Sequence, residues 1–270
     1  MHRTGRIVSL LTLAFVSISQ PVAAHDFWLV PNAFTVAPSG EILVRGQTSS
    51  AFPTTLSAVT PDRVTEARVV GAGDDERIAA LTTQDNSLVL RHRPKTPGQK
   101  IVGVAIGWRR VNETAASFRR YLVAEGAEAA LQHYERTGQL PTADIVRRYA
   151  KYGKTVVEVG EGPRAFDRIV GHPLEFVPLT DPGAAASGAV LMRLTFQGKP
   201  LAGARVHAGK APVSGQKAAE LSLTTSSDGV VSVPEGGGLW NVRTIHVVPA
   251  PAGADADWDV HWATFVYSRK

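Results

Sequence analysis

The sequence predicts an all-β protein: two β-sandwich domains, the first carrying a short helical insertion. Three observations predict it. Short apolar runs recur along most of the chain, separated by Pro, Gly, Asp and Ser clusters, as in antiparallel sandwiches. One interval, about 124–153, breaks that cadence with apolar residues at helical spacing. A small, polar stretch, 181–188, divides the runs into two groups.

The order of elements follows from these patterns. Residues 1–24 read as a secretory signal: Arg3 and Arg6 precede the apolar run Ile7 to Ile18, and Val22 and Ala24 supply small residues before a cleavage point. That run is shorter than the roughly 20 residues a membrane span needs, and no later run is long enough, so the mature chain is expected to be exported to the periplasm without a span. The first sandwich occupies 25–180, with expected strands at Phe27 to Val30, Glu41 to Arg45, Val64 to Val70, Ser87 to Arg91, Lys100 to Ile106 and Phe118 to Val123. Ala127, Ala130, Leu131 and Tyr134 share one helical face; Pro141 opens a second helical run through Ile145, Tyr149 and Tyr152 that ends near Gly153. Strands at Thr155 to Glu158 and Leu174 to Pro178 close the domain. After the 181–188 linker, six runs (Leu191 to Phe196, Ala204 to Ala208, Leu221 to Thr225, Val230 to Val233, Trp240 to Val248 and His261 to Tyr267) make a second, smaller sandwich over 189–270.

Composition excludes several function classes. The net charge of +5 falls to about +3 without Arg3 and Arg6, too mild for nucleic acid, and the pairs Arg109-Arg110, Arg119-Arg120 and Arg147-Arg148 read as solvated positions. With no cysteine there are no disulfides, thiolate nucleophiles or zinc-thiolate sites. Any metal must be held by nitrogen and oxygen. No serine or carboxylate constellation suggests hydrolysis, and the five tryptophans mostly fall within or beside apolar strands where cores need them.

Two resemblances sharpen this reading. Gly198-Lys199-Pro200-Leu201-Ala202-Gly203-Ala204-Arg205-Val206 and Thr224-Thr225-Ser226-Ser227-Asp228-Gly229-Val230 resemble the transthyretin-like or carboxypeptidase-regulatory-like module, with Asp228-Gly229 expected to close a hairpin. Such modules, like Ig-like ones, are scaffolds and fix fold rather than function. Over roughly 25–268, the chain resembles the periplasmic proteins linked to nickel uptake of the NikM type. The motifs that carry this are His25-Asp26-Phe27-Trp28-Leu29, Tyr149-Ala150-Lys151-Tyr152-Gly153-Lys154, Gly171-His172-Pro173-Leu174-Glu175-Phe176-Val177-Pro178, and Trp240-Asn241-Val242-Arg243-Thr244-Ile245-His246 with Trp262-Ala263-Thr264-Phe265. The resemblance implies a metal-binding, non-enzymatic accessory to transition-metal import, serving an inner-membrane transporter.

The candidate ligands follow. His25, exposed as a new amino terminus if cleavage follows Ala24, offers an imidazole and an α-amine whose typical pKa is about 8, a bidentate chelate no internal histidine can make. The alternative is that a histidine merely happens to follow the cleavage site. His246 lies in an expected strand, sharing a face with Val242 and Thr244; His261, in the final strand, approaches it if the two strands pair. His172 precedes Pro173 in a loop, and Glu175 on the next strand can supply a carboxylate, though solvent or an arginine is its ordinary partner. His92, His133 and His207 read as surface or structural residues, and Asp26, alternating away from His25, as a partner for backbone or arginine.

Such a nitrogen and oxygen site suits nickel(II) or copper(II), with cobalt(II) as a further candidate, better than magnesium or calcium. Binding is expected to weaken below about pH 6.5 as imidazole protonates. Two other classes compete. One is a copper enzyme of the histidine-brace kind that cleaves polysaccharides oxidatively, which also requires His25 at the terminus; the other is a structural or interaction sandwich without metal.

Overall fold

The computed structural model describes residues 25–184, 188–212 and 220–269. The expected signal, 1–24, and positions 185–187 of the expected linker lie outside the described residues. In chain order the strands are β1 (Asp26–Pro31), β2 (Thr35–Val36), β3 (Ile42–Ser49), β4 (Val64–Val70), β5 (Asp75–Arg77), β6 (Ala80–Gln84), β7 (Ser87–His92) and β8 (Gly98–Glu113). Helices α1 (Ala115–Ala124) and α2 (Glu128–Arg136) follow, then β9 (Ile145–Val159) and β10 (Leu174–Pro178). The chain ends with β11 (Val190–Phe196), β12 (Lys199–Pro200), β13 (Arg205–Lys210), β14 (Glu220–Thr224), β15 (Val230–Val233), β16 (Gly238–Pro249) and β17 (Trp258–Arg269). The all-β class is as expected, and no helix among the described residues is long and apolar enough to cross a membrane.

A long central sheet runs β14-β13-β16-β17-β9-β8-β4-β5, with β2 also on β9. It crosses the expected domain boundary, because β17 pairs in parallel with β9 from Trp258↔Arg147 to Val266↔Thr155. The two expected sandwiches therefore share one sheet, and the 181–188 stretch does not act as their sole connection. Asp181 itself is fastened to Gln99 at 3.1 Å and to Arg164.

Alternate residues of the central strands feed different cores, as side chains in a strand must point to opposite faces. Val69, Val102, Val104 and Val157 pack with Phe27, Leu29 and Val44 under the sheet β1-β3-β7-β6. Their neighbours Val70, Ile101, Tyr152 and Val156 face the other way, joining Phe176, Met192, Val231 and Phe265 beneath β10, β11 and β15. A third cluster seats α1 and α2, through Phe118, Leu122 and Tyr134, on Trp258, Val260 and Trp262 of β17. With both faces covered, the central strands bury side chains on both sides and do not alternate cleanly between apolar and polar.

The helical insertion is corrected in position. It spans α1 and α2, 115–136; Phe118 to Val123 is helix, not strand, opened by Thr114, whose side chain accepts from the Ser117 amide. Ile145, Tyr149 and Tyr152 lie in β9 instead of a second helical run. Their spacing imitates a helix because the strand is buried on both faces, so its apolar residues carry no period of two. Gly153 does not end a helix; a Cβ there would lie 3.0 Å from Leu29 Cγ and 3.2 Å from Phe27, so glycine lets β1 lie against β9. The Arg147-Arg148 pair is likewise not solvated: Arg147 is buried against Glu113 and over the Tyr121 ring at 4.0 Å. Asp228-Gly229 makes a tight turn, Gly229 N–H donating to Ser226 O at 2.9 Å, but it joins no hairpin. It carries the chain from β14 in the central sheet to β15 in the covering sheet.

Candidate functional site

His246 and His261 are register partners in the antiparallel pair β16–β17. Both stand on the face that carries Val242, Ala263 and Phe265, so the cross-strand approach expected from sequence is present. The Phe196 ring, at the end of β11, sits edge-on against both, 4.4 Å from His246 and 5.0 Å from His261 between ring centres. Phe196 reaches them because Gln197 and Gly198, both at positive φ (51° and 74°), turn β11 tightly into β12.

His261 is fixed from behind. Its Nδ1 lies 3.1 Å from the Tyr152 hydroxyl, and the two rings stack at 6.0 Å. The Tyr152 ring also meets His172, at 5.4 Å between ring centres. His172 is buried, and neither of its ring nitrogens has a hydrogen-bond partner among the described residues.

Glu175 is committed elsewhere. It accepts from the amides of Val170 (2.7 Å) and Gly171 (3.0 Å) and pairs with buried Lys154 at 2.5 Å. Burial pushes this carboxyl up, but Lys154 and the Val170 amide outweigh it and hold it below its usual range. Burial pulls the Lys154 ammonium down against the pull of Glu175. The arginine or solvent expected for Glu175 is therefore a buried lysine.

His261, His172 and Glu175 border a cleft of about 780 Å³ between the end of the covering sheet and the β16–β17 strands, with Phe196, Val248, Pro249 and Pro251 as apolar walls. Trp108 closes one side. The sequence pattern puts most of the tryptophans within or beside apolar strands; four are buried, and Trp108 is 41% exposed. The cause is an irregularity in the β8–β9 register between Ile106 and Arg109, which expels Gly107 and Trp108 from the ladder. Trp108 then meets His261 edge-on at 5.1 Å and lies under Arg148 at 4.5 Å. Asp259, also on the cleft, is paired to Arg148 at 2.6 Å.

Burial dominates the titration of the imidazoles. It lowers His246, His261 and His172 each to about 4. All three are neutral near pH 7, the form that can ligate a metal.

His25 is not brought to this cluster. Its carbonyl accepts from Lys151 Nζ. Lys151 alternates with Tyr152 along β9 and points to the opposite face of the central sheet, toward the Trp262 ring. The sheet itself thus lies between His25 and the three internal histidines. Asp26 behaves as expected, buried 3.5 Å from Arg243, with burial raising its carboxyl. Among the described residues, no three histidine or carboxylate groups converge as a preformed ion site. Of the five expected ligands, His261, His172 and Glu175 line one cleft, His246 is the cross-strand partner of His261, and His25 stands apart. Tyr152, Phe196 and Trp108 complete the site and carried no chemical signature in the sequence beyond their aromatic character.

Comparison with curated proteins finds no match. Among solved structures, the chain resembles the *Escherichia coli* adhesin FdeC at 15% identity and a TM-score of 0.26, over 93% of this chain and 66% of that one. It resembles the D0-D1 domain of intimin at 9% identity and a TM-score of 0.21, over 90% and 97% of the two chains. It also resembles an *Escherichia coli* alpha-2-macroglobulin fragment at 10% identity and a TM-score of 0.23, over 89% and 71%. TM-scores this low carry no argument about the site. Residues 22–248 match the model of a domain of unknown function, DUF4198, and the chain belongs to that family.

Proposed function

We propose that this protein is a periplasmic, non-enzymatic binder of a divalent transition metal, nickel(II) first and cobalt(II) or copper(II) as competitors, that serves an inner-membrane importer of the NikM-associated kind. The observation that supports the reading best is the His246–His261 cross-strand pair, neutral at pH 7, with His261 bordering an open cleft. Directly opposed strand residues hold their Cβ atoms about 5 Å apart, a spacing from which two imidazoles can share an ion. In the tautomer that donates Nδ1–H to the Tyr152 hydroxyl, His261 Nε2 offers its lone pair, the arrangement by which an outer partner fixes a ligand's orientation. The metal here is cargo.

A second reading keeps the amino-terminal chelate. Lys151 holds the His25 carbonyl, so a terminus processed at that point would present its amine and imidazole from an anchored backbone.

Calorimetric titration of nickel(II) chloride into the secretion-processed protein tests both. On the first reading the double variant His246→Ala/His261→Ala loses at least tenfold in affinity, and an extra residue ahead of His25 changes nothing. The reverse pattern selects the amino-terminal chelate. An affinity unchanged by either alteration would refute both.

A further inference from the structure

We infer that the cleft binds a neutral sugar, with the apolar face of a hexose ring set against Trp108 and a hydroxyl donated to Asp259. The inference goes beyond the metal reading and does not rest on it. Three features of the cleft lead there.

The first is an aromatic platform on an open face. Of the six exposed large apolar side chains among the described residues, Trp108 and Ile169 (67% exposed) both border this cleft. Trp108 owes its position to the lost register between Ile106 and Arg109, a device that re-aims a side chain out of its ladder. The Arg148 guanidinium lies 4.5 Å from the ring centre and backs the indole. A ring held in this way is a flat apolar surface, and so is the C–H face of a hexose.

The second is charge. Both carboxylates on the cleft are compensated, Glu175 by Lys154 at 2.5 Å and Asp259 by Arg148 at 2.6 Å. An ionic ligand would leave water and meet no free counter-charge on these walls, a desolvation cost that an uncharged ligand escapes.

The third is hydrogen-bonding capacity beside the platform. Arg148 donates through Nε to one oxygen of Asp259 and through Nη2 to the other, at 2.6 and 3.1 Å. The pairing fixes the carboxylate in orientation, and each oxygen keeps a further lone pair for a hydroxyl. One guanidinium thus holds both the Trp108 ring and the Asp259 carboxylate, and both line the cleft. Gln197, exposed at its rim by a turn at φ 51°, adds an amide that can donate and accept. A purely apolar ligand would leave these groups without use, whereas a sugar has one apolar face and a margin of hydroxyls. The volume of about 780 Å³ falls within the range of about 300–1,000 Å³ usual for small-molecule sites.

The test titrates the secretion-processed protein by calorimetry with glucose, cellotriose, chitotriose and maltotriose, and with cyclohexanol, a ring of the same size with a single hydroxyl. Expected is saturable binding of at least one of the sugars with a dissociation constant of about 1 mM, and binding of cyclohexanol at least about fivefold weaker. Trp108→Ala should weaken the sugar by about threefold to tenfold, the range an aromatic contact is worth, while Trp108→Phe keeps most of the affinity. His246→Ala, which is off the cleft, should bind the sugar as wild type does. No saturable binding of any of the sugars up to about 20 mM overturns the inference. So does cyclohexanol binding as tightly as the best sugar, which would reduce the cleft to an apolar patch, or sugar binding indifferent to Trp108→Ala. Nickel titrations of the same variants report on the metal reading separately, so the two failures are distinguishable.

Discussion

Replacing His172 by Leu should flatten the acid sensitivity of folding. His172 is 3% exposed, and burial holds its imidazole at about 4 in the folded chain, against about 6.5 when unfolded. Between those values the unfolded state binds more protons, so this residue's contribution to stability is intact above about pH 6.5 and is lost progressively toward pH 4. Over the full window a shift of that size corresponds to about 3 kcal/mol; between pH 7 and pH 5 alone it amounts to about 1.8 kcal/mol. Asp26 works in the opposite sense, its folded carboxyl being raised by burial, but it is common to both proteins and cancels in their difference. Urea unfolding of wild type and His172→Leu at pH 7 and pH 5 gives four free energies. The wild-type loss on acidification should exceed that of the variant by about 1–2 kcal/mol. Equal losses would refute the argument that His172 is held neutral by burial without a compensating partner.

Two further outcomes follow from the same physics. Glu175→Gln, which strands the Lys154 ammonium in a dry interior, should cost about 3–5 kcal/mol in denaturant unfolding, while Lys154→Met/Glu175→Leu should lose much less because no unpaired charge remains. Nickel binding at the His246–His261 pair should persist to about pH 5, well below the pH 6.5 expected for exposed imidazoles, since burial lowers both to about 4; titrations at pH 7, 6 and 5 check this, and a tenfold loss by pH 6 would contradict it.

Much of this protein was legible from sequence. Short β-rich runs between turn residues gave the all-β class, and nearly every expected strand appears close to its place, because those patterns are local. The alternation of His246 with Val242 and Thr244, and of His261 with Ala263 and Phe265, put the two histidines on definite strand faces. The absence of cysteine restricted any ion to nitrogen and oxygen donors.

Other features needed the tertiary structure. The parallel pairing of β17 with β9 joins segments more than a hundred residues apart, and no local pattern encodes it. Within the sheet, β9 is packed on one face by β1 and on the other by β10, which removed the alternation that would have identified Ile145 to Tyr152 as β and left a spacing that passed for helix. The β17–β9 pairing also decided the site. Once β9 and β17 lie side by side, Tyr152 backs His261, while Lys151, one residue earlier, must point through the other face and take hold of His25. A single residue of alternation in a shared sheet therefore separates the amino-terminal histidine from the internal ones. Sequence alone could name the candidate donors; only long-range strand pairing could determine which of them share a face.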